Sequence, residues 1–201
     1  MSGVPGAPTA GTELAVRVAM SRWIETIVIG LELCPFAAEP WSEGGVRIAV
    51  SQARGTDDAV KDALDEAFAL LEKDVPEHAA RVRTTLVVFP DASPLADFEV
   101  FLDVAETVHQ ILSEAGADGV LQVATFHPVY RFGDEPDPDA LGHYTNRAPY
   151  PVLHLLREED VSRAVDGYPD IDRLPHDNVA RLEALGRAHV VGLFAALHKP
   201  A

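Results

Sequence analysis

The sequence predicts an α/β fold: a small single-domain sandwich in which a mixed, mostly parallel sheet of about four strands is flanked by helices. Three observations point to it. Strand-like and helix-like runs alternate from Val46 to Phe126, and that order at short spacing calls for crossover connections between parallel strands. The run Thr84 to Phe89 is β-branched and apolar through its centre, the pattern of a strand covered on both faces. With 47% hydrophobic and 24% charged residues over 201 positions, the chain has enough apolar surface for a full core.

Each element has its own signal. Glu13 to Cys34 carries Leu14, Val18, Trp23, Ile27 and Leu31 near helical spacing behind Thr12 as a cap, and Pro35 disfavours helical geometry at the thiol. Val46 to Ala53 alternates apolar and polar residues, as a half-buried strand does. Asp57 to Lys73 is a helix with Val60, Leu64, Ala67, Phe68 and Leu71 on its apolar stripe. Leu95 to Ala115 is a second helix stopped by Gly116, and Val120 to Phe126 a third strand. Pro151 to Arg157 reads as a fourth strand; it follows a long loop without helix signal, so it is expected to run antiparallel beside the third. Glu159 to Val165 and Asn178 to Leu197 close the chain as helices. Residues 1–12, rich in Gly, Pro, Ala and Thr, are expected to be a disordered leader to one α/β domain over 13–201.

Composition narrows the function. A formal charge of −16 speaks against nucleic acid and against an anionic membrane face, since both need concentrated basic surface. No apolar run approaches membrane-spanning length, and the N-terminus lacks the basic start and apolar core of a secretory signal. With Cys34 as the lone cysteine, no internal disulfide can form and a reducing cytoplasm is the expected compartment. The phosphate-binding and dinucleotide-binding glycine motifs and the serine nucleophile elbow are all missing.

The segment from Gln122 to Arg157, QVATFHPVYRFGDEPDPDALGHYTNRAPYPVLHLLR, gathers three of the eight histidines with three tyrosines and three arginines. Ordinary surface loops are built instead from Gly, Ser, Asp and Lys. His127 falls at the carboxyl end of the third strand, where sites of parallel α/β sheets collect, and Pro128 aims its imidazole at that mouth. Cys34 and His127 are the candidate catalytic pair, a thiol needing a base. The plainer alternative for the thiol is a small buried apolar residue. Arg147, with Asn146, offers a planar fork for an anionic substrate, and Arg157 offers a second. Tyr130, Tyr144 and Tyr150 would be pocket walls. Cys34, His127, His143 and His154 are also candidate ligands for zinc or iron, although their spacing matches no standard signature. In the alternation Val152, His154, Leu156, the imidazole shares a face with apolar residues, so a hydrogen-bonded core histidine is its default reading.

At these residues the chain resembles a bacterial family, the domain of unknown function numbered 1415. The resemblance rests on LELCPFA, TTLVVFP, QVATFHPVYRF and TNRAPYPVLHLLRE in this order, and covers the chain from about Arg22 to Gly186. It implies no activity. It adds Gln122 to the candidate substrate-binding residues, and Ala148 stands where the family pattern leads one to expect serine. The expectation is a cytoplasmic small-molecule enzyme, a thiol-dependent hydrolase or transferase. The competing expectations are a metal-dependent enzyme using the same groups, and a non-catalytic binding or assembly module.

Overall fold

The computed structural model describes residues 10–72, 82–168 and 170–198. Helix α1 (Ala10–Trp23) runs directly into a π-helical segment, Ile24–Ile29. All but Glu25 in that segment are β-branched, and such residues crowd the preceding turn of a regular α-helix. Gly30 closes it where a Cβ would lie 2.6 Å from the Thr26 carbonyl oxygen, so no other residue fits the turn. The helix thus begins earlier than expected and ends well before Cys34. Residues 1–9, most of the expected leader, lie outside the described residues, whereas residues 10–12 are helical.

A short helix α2 (Ala38–Ser42) leads to β1 (Val46–Val50), α3 (Thr56–Leu71) and β2 (Thr84–Val88). A 3₁₀ turn (Ser93–Ala96) precedes α4 (Phe98–Glu114), whose N-cap Asp97 accepts from the backbone N–H groups of Glu99 and Val100. Then come β3 (Leu121–Phe126), a 3₁₀ segment (Leu141–Asn146) and β4 (Val152–Arg157). Helices α5 (Glu158–Asp166), α6 (Leu174–Leu185) and α7 (Arg187–Ala196) follow.

The sheet order is β1-β2-β4-β3. β1 and β2 pair in parallel, while β4 pairs antiparallel with both β2 and β3. β4 is therefore antiparallel to β3, as expected, but the sheet is mixed and not mostly parallel. β4 fills the place left between β2 and β3 by their crossover through α4, which converts what would have been a parallel neighbour pair into two antiparallel ones.

Period-two alternation sends successive residues of the central strands to opposite sides. Val87, Phe89, Leu153 and Leu155 pack under α3 and α4, while Leu86, Val88 and Val152 face α1, the π segment, α6 and α7. Two sequence expectations are corrected here. The fully buried residues of α3 are Ala59, Ala63, Ala67 and Leu70, with Val60, Leu64 and Leu71 packed against the core as expected, but Phe68 is 47% exposed; methyl-sized residues let the helix lie close to the sheet and a ring would hold it off. The single closing helix is two, broken at Gly186, whose φ of 80° only glycine adopts freely.

Candidate functional site

Beside the packed core on the face covered by α1, α6 and α7, the sheet also borders a cavity of ≈ 1200 Å³, walled by the π segment, α2, α5, α6 and the loop from Phe132 to Asn146, at or above the upper end of ligand pockets. Its walls include Trp23, Ile24, Leu86, Phe126 and Phe132, with Cys34, Thr84, Asn146 and His154 among them. The Trp23 and Phe126 rings meet edge to face at 5.2 Å, and Phe126 lies 6.1 Å from the His154 ring.

His154 sits mid-sheet, its backbone paired between Leu86 of β2 and Ala124 of β3. Its Nε2 lies 2.6 Å from Thr84 Oγ1, and the same hydroxyl donates to the Leu155 carbonyl at 2.6 Å. A hydroxyl has one proton, and a carbonyl can only accept. Thr84 must therefore accept from His154, which fixes the Nε2–H tautomer and leaves Nδ1 as the lone-pair nitrogen. Burial lowers the His154 pKa from 6.5 to about 4, so the ring is neutral at physiological pH.

Cys34 reaches the cavity through the turn after the π segment. Leu33 N–H and Cys34 N–H both donate to the Val28 carbonyl, and Glu32 takes a left-handed φ of 53°. The turn is stapled from α6: Asn178 Nδ2 donates to the Leu33 carbonyl at 2.7 Å and Arg181 to that of Glu32 at 2.8 Å. Burial pushes the Cys34 thiol up; the backbone N–H groups of Phe36 and Ala37 oppose this without overcoming it. Sequence spacing put the thiol at a helix C-terminus. The structure puts it just before α2, beneath two N–H donors.

His127 is elsewhere. It is 1% exposed and lies between Phe98 and Phe101 of α4, 5.2 Å from each ring, on the α4 side of the sheet. Its Nδ1 accepts from Val129 N–H at 3.2 Å and its Nε2 donates to the Leu95 carbonyl at 2.8 Å. Burial lowers its pKa. Both nitrogens are used in joining the strand end to the turn before α4, and Cys34 and His127 do not share the cavity. The reason is local: His127 is one residue past the end of β3, and the step after Phe126 turns it to the other side.

The metal candidates are likewise scattered. His143 is fully buried, with Nδ1 accepting from Phe132 N–H and Nε2 donating to the Asp137 carbonyl. Among the described residues no three His, Cys, Asp or Glu side chains stand close enough to hold a metal ion. Of the four candidates, Cys34 and His154 alone face the cavity.

The expected substrate-binding residues divide too. Asn146, Gln122 and Arg157 line the cavity. Asn146 Nδ2 donates to the Thr125 carbonyl, and Gln122 Nε2 to Glu158 at 2.6 Å. Arg157 spends its terminal nitrogens on the carbonyls of Leu70 (2.6 Å) and Val82 (2.7 Å), capping the C-terminal turn of α3. Arg147 lies outside the cavity wall, its Cζ 4.0 Å above the Tyr144 ring. Tyr130 packs on Phe98 and Phe132, and Tyr150 on His198. Thr84 is the residue that function-minded reading of the sequence passed over. Its signal was the pair of hydroxyls, Thr84 and Thr85, that opens an otherwise apolar strand.

Fold and cavity define an α/β protein with a mixed four-stranded sheet, packed on both faces and bordered on one of them by a large cavity. The family model described as "Protein of unknown function (DUF1415)" matches residues 15–191, and the chain belongs to that family. Searches of curated proteins and of solved structures returned no match. Among the described residues no helix is long and apolar enough to cross a membrane.

Proposed function

We propose that the chain is a small-molecule enzyme, a thiol-dependent acyl hydrolase or transferase, whose reactive pair is Cys34 and His154. The observation that carries this reading is their presence on one largely apolar cavity, with the His154 lone pair left at Nδ1 by Thr84. In the resting protein both groups are neutral, so the pair is not a preformed ion pair. Chemistry begins when a bound acyl compound brings its carbonyl to the sulfur. Sγ attacks the carbonyl carbon, the thiol proton passes to Nδ1, and the N–H group of Phe36 takes up developing negative charge. The leaving alcohol or thiol recovers the proton from His154, giving an S-acyl enzyme that water or a second nucleophile then cleaves. Apolar walls suit an acyl chain better than a sugar or nucleotide.

The test uses p-nitrophenyl esters from acetate to octanoate. Wild type should release p-nitrophenol with a burst and gain one acyl mass on Cys34, with longer chains favoured. Cys34→Ser and His154→Gln should lose the burst while retaining the fold by circular dichroism. A folded His154→Gln protein that acylates at the wild-type rate would remove His154 from the reaction.

One observation favours a second reading, a non-catalytic ligand-binding module. Cys34 is held as a thiol and His154 as a weak base, states that suit recognition as well as turnover. That reading gains if octanoate stabilises the protein while no ester is cleaved.

A further inference from the structure

Outside the cavity's reactive pair, three arginines lie near the 3₁₀ segment Leu141–Asn146, with Arg131 and Arg187 close enough to act on the charge of Arg147. Arg147 follows that segment and lies over the ring of Tyr144 at 4.0 Å. Its Nε is buried and has no hydrogen-bond partner among the described residues. Arg131 is brought to the same segment by the next residue, since Phe132 N–H donates to His143 Nδ1 at 3.2 Å. Arg187, at the start of α7, is tied to the carbonyl of Asp139 and lies 3.8 Å from its carboxylate.

In a chain of charge −16, three cations at one place call for an account. Among the described residues the acidic loop nearby pairs only with Arg187, through Asp139. Glu135 and Asp137 turn their carboxylates onto backbone N–H groups of the loop itself, at Asp137 and Asp139. Among the described residues neither Arg131 nor Arg147 has a carboxylate within ion-pair distance. Arg147 also feels its two neighbours: after burial, which is the main cause, Arg131 and Arg187 lower its pKa against the opposing effect of Tyr144. A half-buried cation crowded by like charges, with its Nε unpartnered, is relieved by an anion with several acceptor oxygens.

We propose that Arg131, Arg147 and Arg187, gathered near the Leu141–Asn146 segment, form a receptor for an oxyanionic group, a phosphate ester or a carboxylate. Arg147 supplies the oriented fork, held flat on the tyrosine. Arg131 is exposed and supplies a mobile cation. Arg187 also borders the large cavity, so a ligand held here can extend its remainder toward that space. The site does not depend on the thiol chemistry and stands or falls separately.

The full-length protein is titrated calorimetrically with inorganic phosphate, and in a second arm with succinate, at ionic strength held constant with sodium chloride. Saturable binding is expected in at least one arm, and the stronger arm identifies the chemical source. Arg131→Gln, an exposed change that should not disturb folding, is expected to weaken it about tenfold, as loss of one charged hydrogen bond does. Arg147→Lys, which keeps the charge but loses the fork, should weaken it comparably, while Cys34→Ser should leave it unchanged. Absence of saturable binding in both arms, or equal affinity in a folded Arg131→Gln protein, overturns the proposal.

Discussion

At the scale of single residues, the molecule shows how one hydroxyl proton decides the state of an imidazole. Thr84 must donate to Leu155, so His154 must donate to Thr84, and the ring's other nitrogen becomes an acceptor. The cost appears as pH dependence. An unfolded histidine takes a proton near pH 6.5, whereas folded His154 resists until about pH 4. Between these values the unfolded chain binds the extra proton. Its contribution is therefore complete above pH 6.5 and lost as pH falls toward 4, about 3 kcal/mol in all. Urea unfolding at pH 7.0, 5.5 and 4.5 should show this decline, and His154→Gln should flatten part of it. His127 acts in the same direction, so the variant isolates His154 by difference. Parallel pH profiles for the two proteins would show that His154 titrates normally. The sequence put both histidines on strands but chose the wrong one for the cavity. One step along an extended chain exchanges the faces of a sheet, and the chain's turn after Phe126 could not be read from spacing.

At the scale of elements, the π segment and the turn after it place the thiol, and α6 holds that turn from 145 residues away in sequence. Asn178→Ala removes the bond to the Leu33 carbonyl and leaves a buried acceptor without its donor, worth on the order of 1–3 kcal/mol locally. The turn should open more often, and Cys34 should react with a small aromatic disulfide reagent about tenfold faster at unchanged global stability in the baseline region. Labelling at the wild-type rate would mean that the staple does not govern access to the thiol. The sequence marked the chain from Asn178 onward as a closing helix, but its polar Asn178, 7% exposed, gave no sign of a partner. Likewise the alanines of α3 are its most deeply buried residues while Phe68 stays out, because hydrophobicity ranks candidates for burial while close packing selects among them by size.

At the scale of the whole molecule, the charge of −16 is carried on a surface with few cations to balance it. Its ion pairs, such as Lys61–Asp65 and Arg17–Glu13, are mostly exposed and individually weak. Self-repulsion should then be a measurable part of the stability. Raising sodium chloride from 0.02 to 0.5 M is expected to raise the Tm by about 2–4 °C, the shift given by on the order of 1 kcal/mol in a chain of this size. A Tm that falls with salt would mean that attractive pairs outweigh repulsion after all.

What the sequence determined by itself were properties set by neighbours along the chain. Apolar periodicity defined most of the helices and strands, the long helix-free loop made β4 antiparallel, and Pro35 kept Cys34 out of a helix. Tertiary structure alone decided where β4 inserts, and so the mixed sheet, and which polar groups meet across it. Thr84 and His154 are 70 residues apart, and no local pattern records that pairing. Registry between strands, and the choice of which face borders the cavity, depend on how distant surfaces fit, and that information exists only once the chain has closed on itself.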